Sequence, residues 1–287
     1  MDRQNTLLII DPQNDFCDLP ADWRAADPLR NAPAAPALPV SGAHADMLRL
    51  ADLIDAAGDG IDRIVVTLDS HQRYDIAHPT FWQTGDGGAV NPFTAITAAD
   101  ARAGRYRPRD ATALSRALAY LDALEQAGRY TLMVWPVHCE IGSWGHNVHP
   151  AVKAAYNRWE DRRPAVVEKI TKGSNPWTEH YSALQAEVPD AADEDTQLNT
   201  ALIASLDQAD RIVVAGEASS HCVKATVEHL ALHLPSRRLD KLVLVTDAMS
   251  PVTGFESQAA VFLSDLQQRG ARLATCAEVL ALLRSDA

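Results

Sequence analysis

Runs of Lys or Arg are missing from this chain, and acidic residues outnumber basic ones, 38 to 26, for a formal net charge of −12. A surface of that sign repels phosphate backbones and anionic headgroups, so nucleic acid and membrane are excluded as expected partners. Long apolar runs are missing too. The first, Thr6–Ile10, holds five residues, far short of a signal-peptide core or a membrane span. Cysteine is sparse: Cys17, Cys139, Cys222 and Cys276 stand apart without a CxxC pair. That excludes a disulfide framework and predicts free thiols in a reduced, cytoplasmic protein. No repeat, low-complexity tail or linker divides the 287 residues, so residues 1–287 are expected to form a single domain with a full core.

What is present is alternation. Apolar runs with β-branched residues recur at Thr6–Ile10, Arg63–Leu68, Tyr130–Trp135, Ala165–Lys169, Arg211–Ala215 and Lys241–Thr246. Helical patterns separate them at Ala43–Ala57, Ala111–Ala127, His149–Trp159, Asn199–Ser205, Cys222–Leu232 and Glu256–Arg269. Strands alternating with helices of this length predict an α/β fold. It would be a three-layer αβα arrangement around a six-stranded, mostly parallel sheet. Three segments near 19–40, 83–110 and 177–197 show no strong helix or strand pattern. Loops that long serve as lids, binding loops or partner contacts, or are solvated surface excursions, and the pattern favours neither.

In such sheets ligands bind beyond the carboxyl ends of the strands. Asp11 ends the first run, Asp69 and His71 the second, Trp135 and His138 the third, Lys172 the fourth, and Cys222 follows the fifth. Cys222 also opens a helix after a Gly216 turn. A helix N-terminus favours anions, so a thiol there should ionise more readily than a free one. Each residue alone has a plainer explanation: a buried thiol, a turn aspartate, a solvated loop lysine. Together they offer a nucleophile, a proton acceptor and a cation to stabilise the thiolate. Asp69, His71, His78 and His138 form a second set, whose Asp/His chemistry suits zinc, iron or manganese better than calcium or magnesium.

The motifs also resemble a known family. Asp11-Pro-Gln-Asn-Asp-Phe-Cys is similar to the D-x-Q-N-D-F-C opening of nicotinamidases and their isochorismatase-like cysteine hydrolase relatives. Asp69-Ser-His71 with His78-Pro-Thr-Phe resembles the metal segment of that family, D-x-H…H-x-x-F. Trp135-Pro-Val-His138-Cys-Glu-Ile-Gly resembles W-P-x-H-C-x-x-G. Lys172-Gly173 with Tyr181-Ser182-Ala183 resembles the catalytic lysine loop, and Gly216-Glu-Ala-Ser-Ser-His-Cys222-Val resembles G-x-A-T-D-x-C-V.

The resemblance implies the isochorismatase-like hydrolase fold and an Asp11, Lys172, Cys222 triad. It implies an oxyanion hole from the amides of Ala218 and Cys222, beside a cis Glu217–Ala218 peptide. A divalent metal, zinc foremost with iron or manganese as alternatives, would be held by Asp69, His71 and His138, with His78 a further ligand. Phe16, Trp135 and Tyr181 would enclose a small aromatic amide. The implied activity is hydrolysis of nicotinamide to nicotinate and ammonia through a cysteine thioester. The alternatives are a related hydrolase of another amide, carbamoyl or ureide compound, or a non-catalytic ligand sensor. Homo-oligomerisation is left open. Departures are Ser219-Ser220 where Thr-Asp is usual, the wide His71–His78 spacing, and the 83–110 insertion, which could cover the pocket or build a subunit contact.

Overall fold

A computed structural model describes residues 3–29 and 31–285; Met1, Asp2, Arg30, Asp286 and Ala287 lie outside the described residues. Six strands form the central sheet: β1 (Asn5–Ile10), β2 (Arg63–Asp69), β3 (Glu168–Lys172), β4 (Arg211–Gly216), β5 (Leu242–Val245) and β6 (Arg272–Ala274). Every pairing between them is parallel, and their spatial order is β6-β5-β4-β1-β2-β3. Read from the other edge this is 3-2-1-4-5-6, the doubly wound order whose direction reverses between β1 and β4. Both central strands are buried along their whole length, which is why they read as unbroken apolar runs.

Among the described residues eight α-helices accompany the sheet: α1 (Ala43–Ala57), α2 (Ala98–Arg102), α3 (Leu114–Ala127), α4 (Pro150–Arg162), α5 (Thr200–Asp207), α6 (Cys222–His233), α7 (Glu256–Gln268) and α8 (Cys276–Ser285). Helix α1 packs against α4 and α8, while α6 follows directly on β4. Among the described residues no helix is long and apolar enough to cross a membrane.

Three sequence expectations need correction. The Tyr130–Trp135 run is not in the central sheet. Its Leu132–Val134 core pairs antiparallel with Thr94–Ile96 in a separate ribbon. The sixth sheet strand is instead β6, a three-residue edge segment too short to carry a period of its own. The fourth run begins and ends three residues later than expected, so Lys172 is the last residue of β3 rather than part of a loop.

The 83–110 segment is also not an unstructured excursion. Trp82–Thr84 pairs antiparallel with Tyr106–Pro108, and α2 lies between the ribbons with a Thr97–Asp100 capping box. These elements and α3 enclose a second apolar core built on Phe81, Trp82, Ile96 and Leu121. The sequence signal is faint because each strand has only three residues.

Candidate active site

The site begins where β1 and β4 part. Ile10 and Gly216 are register partners at the last rung. Gly216 has φ 117°, and a Cβ there would lie 2.0 Å from the Ile10 carbonyl oxygen, so only glycine lets the strands approach this closely. From that rung the chain runs one way to Asp11 and the other to Cys222, the first residue of α6. Asp11 is fully buried, with φ 43°, a left-handed conformation that aspartate tolerates better than most residues. Its amide donates to Thr67 Oγ1 (3.0 Å), and the Thr67 hydroxyl donates back to Oδ1.

Adjacent strand ends supply the cation. Asp69 and Lys172 are register partners of β2 and β3, and Lys172 Nζ donates to Asp69 Oδ1 at 2.8 Å. Lys172 Nζ also lies 3.0 Å from Asp11 Oδ2, donates to the His180 carbonyl (2.9 Å), and sits 3.6 Å from Cys222 Sγ. Burial alone would strip its proton, but Asp11 and Asp69 hold the ammonium well above its ordinary range. Asp11 is moved upward, chiefly by burial, with Lys172 opposing and Asp69 adding. The Cys222 thiol is not eased toward ionisation as its helix position suggests. Burial raises it most; Lys172 counteracts, and Asp11 and Asp69 raise it further. Cys222 is therefore held as a thiol, with the buried Asp11 carboxyl group beside it.

The second group shares Asp69 with the first. Asp69 Oδ2 lies 3.1 Å from His71 Nε2 and 3.3 Å from His138 Nε2. His71 Nδ1 faces Asp75 Oδ2 at 3.1 Å, and His138 Nδ1 faces the Pro136 carbonyl at 2.8 Å. Each ring is thus held at Nδ1 by an acceptor and turns Nε2 to the same point, the usual arrangement of a metal-ligating histidine. Bonds of about 2.0–2.1 Å put neighbouring ligands of a tetrahedron about 3.3 Å apart, close to the separations seen here. His78 completes a buried three-histidine group whose candidate ligand atoms lie within 4.8 Å of one another. Burial, His138 and His71 push His78 down to about 2, against Asp69 and a weak backbone bond to Gln72, so it is a neutral ring. Burial works against a charge on Asp69, but His71, Lys172 and bonds from His138 and His71 overcome it and hold the carboxyl well below its usual range. Burial likewise disfavours imidazolium at His71, yet Asp69 and Asp75 hold it well above 6.5, the proton standing where a cation is attracted. The donor set fits a divalent transition metal.

A small, largely apolar cavity opens onto both groups, with Asp69, His138 and Cys222 in its wall. Phe16, Trp135 and Tyr181 line it, as the resemblance implies, and Trp135 Nε1 donates to the Tyr181 hydroxyl at 3.0 Å. The insertion contributes no lining residue; its Phe93 lies edge-on to the lining residue Trp135 at 5.8 Å. The other two long segments do reach the cavity, through Leu38 and through Glu179 with Tyr181. The Glu217–Ala218 peptide is cis, and Ala218 lies on the cavity wall beside Cys222.

Several supporting residues escape a sequence reading. Gln13 bonds both backbone atoms of Asp69, through Nε2 to the carbonyl and from the amide to Oε1, each at 2.8 Å. Asp15 clamps the loops by accepting from the amides of Cys139 (2.7 Å) and Ala37 (2.9 Å). Both lie inside the quoted opening motif, so the motif marks them without giving their roles. Glu179 and His221 line the cavity with no spacing signal at all. Trp135 and His138 reach the site although their strand does not. The His71 amide donates to the Cys139 carbonyl, and the Ile141 amide to the His71 carbonyl, stitching that loop to the end of β2. All four cysteines are unpaired and buried.

No family model matches this chain, and no curated protein does. Solved structures do. A nicotinamidase/pyrazinamidase from Acinetobacter baumanii superposes with a TM-score of 0.61 at 18% identity, covering 96% of this chain and 98% of the other. The yeast nicotinamidase bound to the inhibitor nicotinaldehyde gives 0.62 at 19%, covering 95% and 100%. A pyrazinamidase of Pyrococcus horikoshii in complex with zinc gives 0.53 at 17%, covering 95% and 99%. The fold of this chain, over nearly its whole length, is that of the nicotinamidases and isochorismatase-like hydrolases.

Proposed function

We propose that the chain is a cysteine hydrolase of the isochorismatase-like superfamily that cleaves a small aromatic amide, with nicotinamide the leading substrate. The observation that carries this reading is the buried contact set of Lys172 with Asp11, Asp69 and Cys222 at 3.0, 2.8 and 3.6 Å. Two ion pairs buried beside a thiol are costly to maintain and serve no packing purpose. The known nicotinamidases with this fold support the choice of substrate.

The steps follow from proton positions. Asp11, raised by burial, accepts the Cys222 proton as Sγ attacks the carboxamide carbon, and Lys172 stabilises the charge. The carbonyl oxygen takes up negative charge near the amides of Ala218 and Cys222, the latter in the first turn of α6, where amides have no intrahelical acceptor. Asp11 returns its proton to the leaving nitrogen, the C–N bond breaks, and ammonia departs from an acyl thioester. Water then attacks the thioester while Asp11 takes its proton; the carboxylate product leaves, and Asp11 reprotonates Sγ. Asp69, His71, His138 and His78 would hold a divalent metal, which when bound supplies a Lewis-acidic point that orients the substrate.

The test is ammonia release from nicotinamide by the purified protein beside a panel of small amides. Release lost in Cys222→Ala, with the fold retained, is the expected result. Full activity in that variant would remove the thiol from the mechanism, whereas turnover of a different amide alone would keep the mechanism and replace the substrate.

A further inference from the structure

His221 sits between the cis peptide and the nucleophile and lines the substrate cavity. Its ring lies at the centre of an aromatic enclosure, 4.7 Å from Phe255, 5.2 Å from Trp135 and 5.3 Å from Tyr181. Unlike those neighbours it has two nitrogens, and the structure commits one. His221 Nδ1 is 2.9 Å from the Ser220 hydroxyl, which also accepts from the Val252 amide at 3.0 Å. Ser220 is completely buried, and its hydroxyl has no other acceptor among the described residues. A buried hydroxyl proton left without an acceptor is costly, so it points at Nδ1. Nδ1 is then the acceptor, and the ring proton belongs on Nε2. Burial, with Lys224 next, pushes His221 down to about 4, so the ring is neutral near pH 7. Nε2 has no protein partner among the described residues and is not sealed in the interior.

We propose that Ser220 locks His221 as a fixed Nε2–H donor in the substrate cavity. His221 is thereby a specificity-determining residue, favouring amides with a hydrogen-bond acceptor on the edge that faces it. The substrate class is that of aromatic amides bearing a ring nitrogen or carbonyl there; an apolar or donor edge at that position is disfavoured. The substrate half of this inference rests on the amidase reading, and the tautomer half does not.

Two measurements test it. Imidazole ¹⁵N resonances, with His221 assigned by its loss in His221→Phe, should report a neutral Nε2–H ring at pH 7. In Ser220→Asp, where a carboxylate replaces the hydroxyl donor, the proton should move to Nδ1 or the ring should become charged. An Nδ1–H ring or an imidazolium in the wild-type protein would overturn the lock. In turnover, benzamide is compared with the ring-nitrogen isomers picolinamide, nicotinamide and isonicotinamide, and with pyrazinamide. One N-for-CH replacement should raise kcat/KM by roughly tenfold, the size of one well-placed hydrogen bond, and that gain should vanish in His221→Phe. A gain that originates at the metal survives the substitution. If every gain survives it, His221 does not read the substrate. If no amide is hydrolysed, the amidase reading and the substrate half fall together, while the resonances still decide the tautomer.

Discussion

The two corners of the site, joined by the single carboxylate of Asp69, balance their charge differently. In the triad corner the charges answer one another: Lys172 is surrounded by Asp11, Asp69, a carbonyl and a thiol, all within 3.6 Å. In the histidine corner three buried rings stand 4.7 to 5.2 Å apart, one held charged by carboxylates and one kept neutral by burial and its two neighbours. The first corner is electrostatically complete as it stands. The second gathers Asp69 and three imidazoles, a donor set suited to a cation, and Asp69 and Asp75 hold a proton on His71 there. Asp69 divides its oxygens accordingly, Oδ1 to the lysine and Oδ2 to two histidines.

The largest effects should come from breaking one corner and leaving the other intact. Cys222→Ala should lower turnover by roughly 10⁴-fold or more, the scale of losing a nucleophile, yet retain full metal content. His71→Ala or His138→Ala should lose the metal, read as metal-to-protein ratio after dialysis. Chelation should lower the Tm of both wild type and Cys222→Ala, because the ion is linked to the folded state. The linkage amounts to about 2.7 kcal/mol at a free metal concentration 100 times Kd. Metal uptake should also weaken as pH falls, since the proton on His71 that Asp69 and Asp75 stabilise must leave first. Equal metal loss in Cys222→Ala would mean that the corners are one unit.

Lys172→Met tests the complete corner by its stability. It leaves Asp11 and Asp69 buried with no cation between them, and removing one partner of a buried pair costs about 3–5 kcal/mol. Denaturant unfolding should show that loss at neutral pH. The deficit should shrink in acid, where protonation removes the uncompensated charge.

How much of this was legible in the sequence depends on the range of the interaction. β1, β2 and β4 carry short apolar, β-branched runs followed closely by the polar residues themselves, so the pattern alone puts Asp11, Asp69, His71 and Cys222 on one rim. Lys172, Trp135 and His138 lie beside the same rim, although the strand boundaries the pattern implies for them differ from those of the fold. Lys172 ends a half-exposed edge strand whose burial alternates, and Leu132–Val134 is apolar because it joins a second core that the pattern does not distinguish from the first. Glu179, His221 and the Gln13 bracket were illegible because their roles depend on contacts across the fold, such as Gln13 with Asp69. The thiol direction was misread for the same reason. A helix terminus is local, whereas burial beside two carboxylates is not.

A finer cut concerns Asp11 as the proposed general base. Thr67→Val removes the hydroxyl that donates to Asp11 and favours its charged form. Losing that bond raises the Asp11 pKa further, so the base becomes protonated at a higher pH than in wild type. The acid limb of kcat/KM should shift upward by about one unit, a roughly tenfold loss at pH values on that limb and little change well above it. A downward shift would remove Asp11 from the role of base.

The smallest effects separate the segments that line the cavity from the one that does not. Leu38, 6% exposed, belongs to the 19–40 segment and touches the cavity. Leu38→Ala removes apolar surface from the substrate wall and should raise KM by several-fold with kcat nearly unchanged, because uniform binding is lost. Phe93, 55% exposed at the edge of Trp135, belongs to the insertion. Phe93→Ala should leave both constants within about twofold, since it removes a contact to the back of a wall residue rather than to the substrate. If Phe93→Ala raises KM as much as Leu38→Ala, the insertion closes over the cavity when substrate is bound, and the 83–110 segment is a lid after all.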